Sequence, residues 1–492
     1  MCVRDVRPAS APPPVAQVSL QLREKRRLLE IVGAEGFVES VAGLRVYECD
    51  GYTLERARPQ LVVLPKTTAQ VSAVVAYLSD RKIPFVPRGA GTGVSGGCLP
   101  ADIPVMIGTS RMKAIRRVDL ANRLIEVEAG VVNLEVTRRV ERAGFYYAPD
   151  PSSQSACTIG GNIAENSGGP HTLKYGVTVN HLVELEVVLP DGAVVRLDRG
   201  PSATGYDLAG VFTGSEGTLG IATAAVLRLS VRPQAVATLL AVFPGILAAS
   251  RAVSAIIAAG IVPAALEMMD HLVIEAVEAA YGFGFPKGAG AVLIIELDGL
   301  EAGLDELCER VTTACRREGA SELRRAADES ERALLWKSRK RAFGAMGRLA
   351  PSYCTQDGVV PRSRLPEIAE RIADIAARHR LRIANLMHAG DGNVHPIVLY
   401  DDRDHEEVAR VIAAGEEILR SCVEMGGSLT GEHGIGVEKV ALMAQVFGTS
   451  ELEAMRAVRD SFNPDALCNP SKLLPTDRQC VEVTRPRPRG GG

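Results

Sequence analysis

Several features that mark specialised classes of protein are scarce or missing in this chain of 492 residues. Its ten cysteines include no Cys-x-x-Cys pair, which argues against a zinc ribbon or an iron–sulfur site, and a chain this long is not expected to need a disulfide framework. It has one tryptophan and only 4% aromatic residues, so base-stacking platforms for nucleic acid are not expected. A run of about 20 apolar residues, which a membrane-spanning helix needs, is also missing.

The chain also has no large excess of charge of either sign, because the net charge is −3 and the isoelectric point is about 6.3. A basic surface for nucleic acid is therefore not expected. Residues 1–17 lack the apolar region of a secretory signal, and their composition predicts a disordered tail, as does that of 477–492. The scattered cysteines fit reduced thiols, so we expect a cytoplasmic protein. The length of 492 residues predicts two or more domains.

The order of predicted elements changes near residue 232. Residues 61–87 predict a strand, a helix and a second strand. Strand patterns predominate over 103–230, where the Pro-Asp-Gly turn of VVLPDGAVVRL predicts a hairpin. After Pro233 strands alternate with helices to about residue 445, and we therefore predict a domain boundary near 232.

A glycine-rich segment follows the second of these strands. GTGVSG at 91–96 matches the G-x-G-x-x-G pattern of a Rossmann dinucleotide site. That site needs a helix beginning at the loop, and Gly97 and Pro100 would stop such a helix early, so we reject this interpretation. The run of glycines after Arg88 is then either a plain loop or a nest of backbone N–H groups for a diphosphate.

Two more loops of similar composition follow, at 149–176 and 214–221. Their serine, threonine, asparagine and glycine residues offer hydrogen bonds and room for a planar polar ligand such as a flavin ring. Three such loops within about 180 residues are difficult to explain as turns. Together they indicate an extended bound cofactor.

The segment MHAGDGNVHP at 387–396 places two histidines on either side of a tight turn. If Asp391 and Gly392 are the central residues of a hairpin, His388 lies directly opposite His395, and the two imidazoles can reach one metal ion. A catalytic loop without metal and a structural histidine pair are the alternatives. GEHG at 431–434 is the candidate source of a third ligand, because two histidines and one carboxylate form a typical catalytic metal site.

Long motifs in a fixed order resemble one family. RGAGTGVSGG, PDPSSQSACTIGGNIAENSGG and FTGSEGTLGI resemble the FAD-binding domain of the vanillyl-alcohol oxidase/p-cresol methylhydroxylase group. HAGDGNVHP, GGSLTGEHGIGVEK and FNPDALCNPSKLLP follow in the order of the FAD-linked 2-hydroxyacid dehydrogenases and oxidases. The resemblance covers about 40–475, and CDGYTLERARP, GGPHTLKYG and MHAGDGNVHP look most like the FAD-linked subunit of glycolate oxidase.

The resemblance implies an α+β fold. It implies a two-subdomain FAD-binding domain of the p-cresol methylhydroxylase type at 18–232, a substrate or cap domain with the metal site at 233–445, and a C-terminal segment, 446–476, that returns to the FAD domain. The implied cofactor residues are Arg88, Gly89, Ala90, Gly91, Thr92, Gly93, Pro151, Ser152, Thr158, Gly161, Asn162, Ala164, Asn166, Glu216, Gly217 and Ile221. Many relatives attach flavin through a loop histidine, and 88–100 contains none, so noncovalent FAD is expected.

The same resemblance implies metal-assisted chemistry. The implied ligands of a divalent metal, zinc being favoured over iron or manganese, are His388, His395 and Glu432. His433 matches the base, and Arg339 matches the arginine that binds the substrate carboxylate, with a solvated basic helix face as the alternative. Phe343 and Thr355 stand where dicarboxylate-specific relatives carry polar groups, which argues against a dicarboxylate substrate.

The implied reaction is oxidation of a small 2-hydroxy acid by hydride transfer to FAD, with glycolate favoured. D-Lactate is the first alternative, D-2-hydroxyglutarate is less favoured, and a non-catalytic flavin-carrying subunit is the alternative from another class. The chain has no cysteine cluster for an iron–sulfur centre that could accept the electrons. The resemblance therefore implies that electrons pass to a second flavin-type subunit and an iron–sulfur subunit, or to a quinone-linked acceptor. It also implies peripheral attachment at the inner face of the cell membrane through the partner subunits. His171 is expected either near the flavin or as a surface or hydrogen-bonded histidine.

Overall fold

The computed structural model describes residues 19–200 and 203–475, so the two predicted tails lie outside the described residues. The helices are α1 Leu22–Val32, α2 Val41–Arg45, α3 Thr68–Asp80, α4 Asn133–Val140, α5 Ile159–Glu165, α6 Thr172–Tyr175, α7 Leu208–Phe212, α8 Ile246–Ala258, α9 His271–Tyr281, α10 Leu304–Arg317, α11 Glu329–Lys340, α12 Ala342–Ala345, α13 Leu365–His379, α14 His405–Glu424, α15 Met443–Val446 and α16 Thr449–Phe462. The strands are β1 Phe37–Val38, β2 Leu61–Val63, β3 Phe85–Arg88, β4 Val105–Gly108, β5 Ile115–Asp119, β6 Leu124–Glu128, β7 Phe145–Tyr146, β8 Leu182–Val188, β9 Val194–Asp198, β10 Ile221–Arg228, β11 Ser230–Val231, β12 Ala235–Phe243, β13 Ala265–Asp270, β14 Ala291–Gly299, β15 Glu322–Arg325, β16 Ser352–Thr355, β17 Gly358–Val359, β18 Arg382–His388 and β19 Asn393–Tyr400.

The first sheet has the strand order β1-β2-β4-β3, and β2 and β3 both run parallel to β4 between them. The predicted strand–helix–strand unit is confirmed as β2, α3 and β3. Helix α3 begins where the Thr67 side chain accepts a hydrogen bond from the Gln70 N–H, and its valines pack in the core beside the sheet. Residues 89–104 form no helix, so the rejected Rossmann interpretation is also excluded by the structure.

The second sheet is antiparallel, with the strand order β5-β6-β10-β8-β9. The predicted hairpin is β8 and β9, where Val188 pairs with Val194 and the Asp191 side chain accepts from the Ala193 N–H at 2.8 Å. A short pair, β7 with β11, closes this half of the chain. The predicted domain boundary near 232 falls between β11 and β12.

The C-terminal half is built on an eight-stranded antiparallel sheet. Its order is β15-β12-β14-β13-β18-β19-β16, and β17 pairs with β19. Helices α8, α10, α13 and α14 contribute to one hydrophobic core on this sheet, while α9, α11 and α12 contribute to a second core. Helices α8 and α10 fall within the region after Pro233 where the sequence predicts alternating strands and helices.

The C-terminal segment returns to the first sheet, as the resemblance implies. The Phe85 N–H donates to the Leu467 carbonyl at 2.9 Å, and the Asn469 N–H donates to the Phe85 carbonyl at 2.8 Å, which extends the sheet beside β3. The buried Lys472 ammonium donates to the Leu99 carbonyl at 2.9 Å. Among residues 19–200 and 203–475, no helix is both long and apolar enough to cross a membrane.

Candidate active site

A cavity of about 450 Å³ is lined by residues of both halves of the chain. The predicted cofactor residues that line it are Arg88, Gly89, Ala90, Gly91, Thr92, Gly93, Pro151, Ser152, Thr158, Gly161, Asn162, Ala164, Glu216, Gly217 and Ile221. Asn166 does not line it. It ends α5 in a left-handed conformation, and its side-chain oxygen accepts from the Val179 N–H at 3.0 Å.

The glycine loop after β3 packs too closely for side chains. A Cβ on Gly89 would lie 2.6 Å from the Thr158 hydroxyl, and Gly91 has a φ of +72°. The Arg88 guanidinium donates to the Cys49 carbonyl at 2.9 Å, so this hydrogen bond fixes its direction. The backbone of the loop can therefore approach a ligand closely, which fits the diphosphate of a dinucleotide.

Glu165 is a cavity residue that the sequence interpretation missed. It lines the cavity at the end of α5, and its Oε2 atom has no hydrogen-bond partner among the described residues. Burial and the neighbouring Glu216 carboxylate raise the pKa of Glu165 well above its ordinary value. A protonated carboxyl group with a free oxygen can donate a hydrogen bond to a ligand in the cavity.

The two motif histidines lie on the β18–β19 hairpin, but not directly opposite each other as predicted. His388 pairs with Asn393, and His395 pairs with Leu386, so the turn contains four residues, 389–392, rather than two. The register error is two residues, and an even shift keeps both side chains on the same face of the sheet. The rings are diagonal neighbours with centroids 5.1 Å apart at an angle of 88°.

Three ligand atoms converge at this hairpin. The Nε2 atoms of His388 and His395 lie 3.1 and 3.4 Å from Oε1 of Glu432, and one atom from each residue falls within 4.8 Å of the others. The Nδ1 atoms of both histidines contact other residues. Nδ1 of His388 lies 2.7 Å from Glu267, and Nδ1 of His395 lies 3.3 Å from the Gln356 carbonyl. Such outer contacts orient metal-binding histidines, so the donor set fits a divalent ion.

The charges at this cluster are strongly coupled. Burial opposes the charged form of each group, but the Glu267 and Glu432 carboxylates outweigh burial and raise the pKa of His388. In the same way, His388 and then His395 lower the pKa of Glu432 despite its burial. The carboxylate is therefore ionised at neutral pH, and binding of a divalent ion would displace the proton from His388, because a histidine ligates a metal through its neutral ring.

His433 lies beside the cluster and lines the cavity. Its ring stacks on that of His395, with centroids 4.8 Å apart and an angle of 13°. Burial lowers the pKa of His433 to about 4, and its Nδ1 atom has no hydrogen-bond partner in the described part of the chain. A neutral imidazole with an unoccupied nitrogen can accept a proton from a ligand.

Asp357 holds the loop that carries Glu432 and His433, and the sequence interpretation missed it. Its fully buried carboxylate accepts from the Thr430 hydroxyl at 2.5 Å, from the His433 N–H at 2.9 Å and from the Lys439 ammonium at 3.3 Å. It also accepts from the backbone of the two residues between Thr430 and His433. A single aspartate in QDG gives no sequence signal, because its partners lie more than 70 positions away.

Arg339 is fully buried on α11 and does not line the cavity. Its Nε atom lies 2.6 Å from a Glu267 oxygen, and one terminal nitrogen lies 3.4 Å from Nδ1 of His388. The other terminal nitrogen has no hydrogen-bond partner among the residues described. The neighbouring Lys340 does line the cavity, so two cations of α11 lie near the cluster.

His171 does not line the cavity. Its ring lies between two carboxylates, with Nδ1 2.9 Å from Asp150 and Nε2 3.1 Å from Glu296. Of the two expectations for this residue, the structure shows the hydrogen-bonded histidine.

A glycine-walled cavity on two N-terminal sheets, closed by an eight-stranded sheet that carries a histidine cluster, defines a flavin-dependent oxidoreductase. Comparison with protein families supports this class: a model described as an FAD binding domain matches residues 59–198, and one described as the C-terminal domain of FAD linked oxidases matches residues 232–473. The chain belongs to the FAD-linked oxidase family, which confirms the resemblance, the FAD cofactor and the oxidoreductase class.

Individual relatives agree with this assignment. The chain is 46% identical over 437 residues to glycolate oxidase subunit GlcD of Escherichia coli strain K12, covering 89% of this chain and 88% of that protein. It is 31% identical to D-lactate dehydrogenase of Anaerostipes hadrus, covering 85% and 90%. Among solved structures, p-cresol methylhydroxylase with bound substrate has a TM-score of 0.77 at 17% identity, covering 92% and 96%, which confirms the predicted fold type.

Proposed function

We propose that this chain oxidises glycolate to glyoxylate, using FAD and a divalent metal ion. The observation that carries the proposal is the position of the His388–His395–Glu432 cluster: Glu432 and the neighbouring His433 line the same cavity as the proposed FAD-binding loops. The similarity to a glycolate oxidase subunit over 89% of the chain supports this substrate over D-lactate, for which the relative is less similar.

The donor and acceptor atoms of the site account for the chemistry of a 2-hydroxy acid. FAD, when bound, supplies the acceptor for the hydride on the substrate's α-carbon. His388, His395 and Glu432 would hold the divalent ion, which would supply a Lewis acid for the substrate's oxygen atoms. Nδ1 of His433 accepts the proton of the α-hydroxyl group, so the acid loses one proton and one hydride and becomes a 2-oxo acid.

The substrate carboxylate needs a cation. Arg339 has one unpaired terminal nitrogen close to the cluster, and Lys340 faces the cavity, so together they provide the positive charge at this end. The Phe343 ring occupies the space beside His395, with ring centroids 6.4 Å apart. Phe343 also lines the cavity, so its ring would limit the α-substituent to a small group, which favours glycolate over larger acids.

Noncovalent attachment of FAD is part of the proposal. Residues 88–100 contain no histidine, and Cys98 is the one thiol in that loop. Burial raises the pKa of Cys98 to about 12, so the thiol is protonated and a weak nucleophile. For the metal, two imidazoles and a carboxylate suit zinc first, with iron and manganese as the alternatives.

We further propose that the chain works with a second flavin-type subunit and an iron–sulfur subunit in the cytoplasm, reaching the membrane only through them. Its relative from Escherichia coli is described as a subunit, and the ten cysteines of this chain form no Cys-x-x-Cys pair for a cluster of its own. A non-catalytic flavin carrier is the competing proposal. A non-catalytic carrier would need neither the three converging ligand atoms nor the free nitrogen of His433.

Anaerobic reduction of the bound flavin tests the reaction. The purified chain is titrated with glycolate, D-lactate and D-2-hydroxyglutarate, before and after treatment with a chelator, and flavin absorbance is followed. We expect glycolate to bleach the flavin fastest, the rate to fall on chelation, and added zinc to restore it. His388→Ala should abolish bleaching with FAD retained, whereas the control variant His379→Ala, which lies away from the cavity, should not. Bound flavin that glycolate leaves oxidised, or bleaching that survives His388→Ala, contradicts the proposal.

A further inference from the structure

The short helix α6 and the residue before it reach from the FAD-binding loops into the C-terminal half. His171 and Leu173 belong to the predicted flavin loop at 149–176, yet both contact the C-terminal half. Leu173 packs at the turn of the β18–β19 hairpin so closely that a Cβ on Gly390 would lie 2.7 Å from its side chain. Tyr175 donates to Asp298 on β14 at 2.5 Å. This segment therefore bridges the FAD-side loop and the C-terminal half of the chain, outside the cavity lining.

His171 is the most strongly held group of this segment. On the FAD side, Nδ1 contacts Asp150, which directly precedes the cavity residues Pro151 and Ser152. On the other side, Nε2 contacts Glu296, whose side chain is only 4% exposed. Burial alone would lower the pKa of His171, but Asp150 and then Glu296 raise it to about 10, so the ring is positively charged at neutral pH.

Glu296 also contacts helix α11. Its Oε2 atom accepts from the Trp336 indole N–H at 2.5 Å, from Arg332 at 3.1 Å and from the Thr238 hydroxyl at 3.0 Å. Trp336 also lies against the His171 ring, with centroids 5.2 Å apart. One helical turn further, the same helix presents Arg339 to Glu267 and His388.

We propose that His171 is a positioning residue. It holds the FAD-side loop at Asp150 against strand β14 and helix α11. This contact sets the position of the substrate-binding end of α11 relative to the flavin. The contacts form an unbroken path from the cavity loop to a metal-site histidine through two carboxylates, Glu296 and Glu267, on adjacent strands. The positioning role rests on the proposed function only in those tests that measure the rate of flavin reduction. Misplacement by about 1 Å costs on the order of 100-fold in rate when reacting groups must be aligned.

The test compares His171→Gln with the wild-type holoenzyme and with the control His379→Gln. His379 also contacts a carboxylate, Glu417 at 2.9 Å, but lies between α13 and α14 within the C-terminal half. We expect His171→Gln to lower the rate of flavin reduction at saturating glycolate by about 10-fold or more, with FAD content and the glycolate concentration for half-maximal rate changed less than about twofold. His171→Lys, which restores a cation between the carboxylates, should recover part of the rate.

The single tryptophan of the chain gives a readout that does not depend on the reaction. Trp336 lies beside the His171 ring, and a charged imidazole quenches indole emission, so the emission should rise in His171→Gln and stay unchanged in His379→Gln. If wild-type flavin is not reduced by glycolate, the proposed function fails while the emission still tests the contact.

A wild-type reduction rate in folded, FAD-loaded His171→Gln overturns the positioning role. Should that variant not fold, Asp150→Asn weakens the same contact from the other side. An unchanged reduction rate in Asp150→Asn overturns the role equally.

Discussion

At the scale of single residues, Phe343 lines the cavity beside the proposed metal site, and we expect its side chain to limit the size of the substrate. Its ring faces His395, and replacing it with alanine opens room for a longer α-substituent. We expect Phe343→Ala to shift the ratio of flavin-reduction rates from glycolate toward D-lactate by about 10-fold. Phe283→Ala, which removes a ring outside the cavity, is the control. An unchanged ratio in Phe343→Ala would show that the pocket is limited elsewhere.

Glu438 gives a prediction about pH. Its side chain is 7% exposed, and burial raises its pKa to about 7 from an ordinary value of 4.5, with Lys439 opposing the shift. The folded chain therefore binds more protons than the unfolded chain between about pH 4.5 and 7, and this group's contribution to stability falls as the pH rises through that window. Glu438→Gln should raise the free energy of unfolding by about 3 kcal/mol at pH 8 and leave it unchanged at about pH 4.5.

Urea unfolding at the two pH values measures this difference. Glu453, which is exposed on α16, supplies the control, because Glu453→Gln should have the same small effect on the free energy of unfolding at both pH values. An equal effect of Glu438→Gln at the two pH values would mean that the buried carboxyl group does not titrate in this window.

The residues that the sequence identified are those with a local signal. Glycines flanking the Glu432–His433 pair and a turn between two histidines mark the cluster, and the structure brings these residues together. Asp357 and Glu267 have no such signal, because a buried carboxylate is recognisable only once its partners are known, and those lie more than 70 positions away. Asn166 lies within a cofactor motif, but in the structure it ends a helix and does not line the cavity.

At the scale of elements, the β18–β19 hairpin depends on its turn. Gly392 has a φ of +85°, and a Cβ there would lie 2.1 Å from the Val360 carbonyl oxygen. Gly392→Ala should lower the free energy of unfolding by about 3 kcal/mol and weaken the proposed zinc binding by about 10-fold, because this turn joins the two strands that carry His388 and His395. Urea unfolding and the zinc content after dialysis measure the two effects.

Gly282→Ala is the matched control for the turn. Gly282 also has a positive φ, +63°, but a Cβ there would meet no atom within 4 Å. The substitution should cost about 1 kcal/mol and leave the zinc content unchanged. Equal losses in the two variants would mean that backbone strain alone, and not the contact with Val360, makes the turn sensitive.

Element prediction worked where the periodicity was local and failed where it depended on turn length. The strand–helix–strand unit at 61–87 and the β8–β9 hairpin are confirmed. The β18–β19 hairpin was predicted with a two-residue turn and has four, because the Gly-Asp-Gly sequence allows either and the packing of Gly392 against Val360 selects one. The face of the sheet was still correct, since the shift was even.

At the scale of the whole molecule, the cavity is built from segments that are far apart in the chain. The Glu216 carboxylate accepts from the N–H groups of Ile435 and Gly436 at 2.6 and 2.7 Å, which ties the FAD-side loop to the segment after His433. Asn469 then donates to the carbonyls of Gly97 and Glu216 at 2.9 and 2.6 Å. Sequence motifs predicted that these regions serve one site, but contacts between segments more than 200 residues apart could not be derived from the chain alone.

These contacts predict that the C-terminal segment supports FAD binding, and a substitution at Asn469 tests this prediction. Its φ of +46° would strain alanine, so Asn469→Gly removes the side chain while keeping the backbone conformation. Loss of the two hydrogen bonds should weaken FAD binding by about 10-fold, measured by fluorescence titration of the apoprotein, because both carbonyls belong to cavity residues. Arg380→Gly, at another left-handed position with φ +55°, should leave FAD affinity unchanged. If the two variants bind FAD equally, the C-terminal segment stabilises the sheet without shaping the cofactor site.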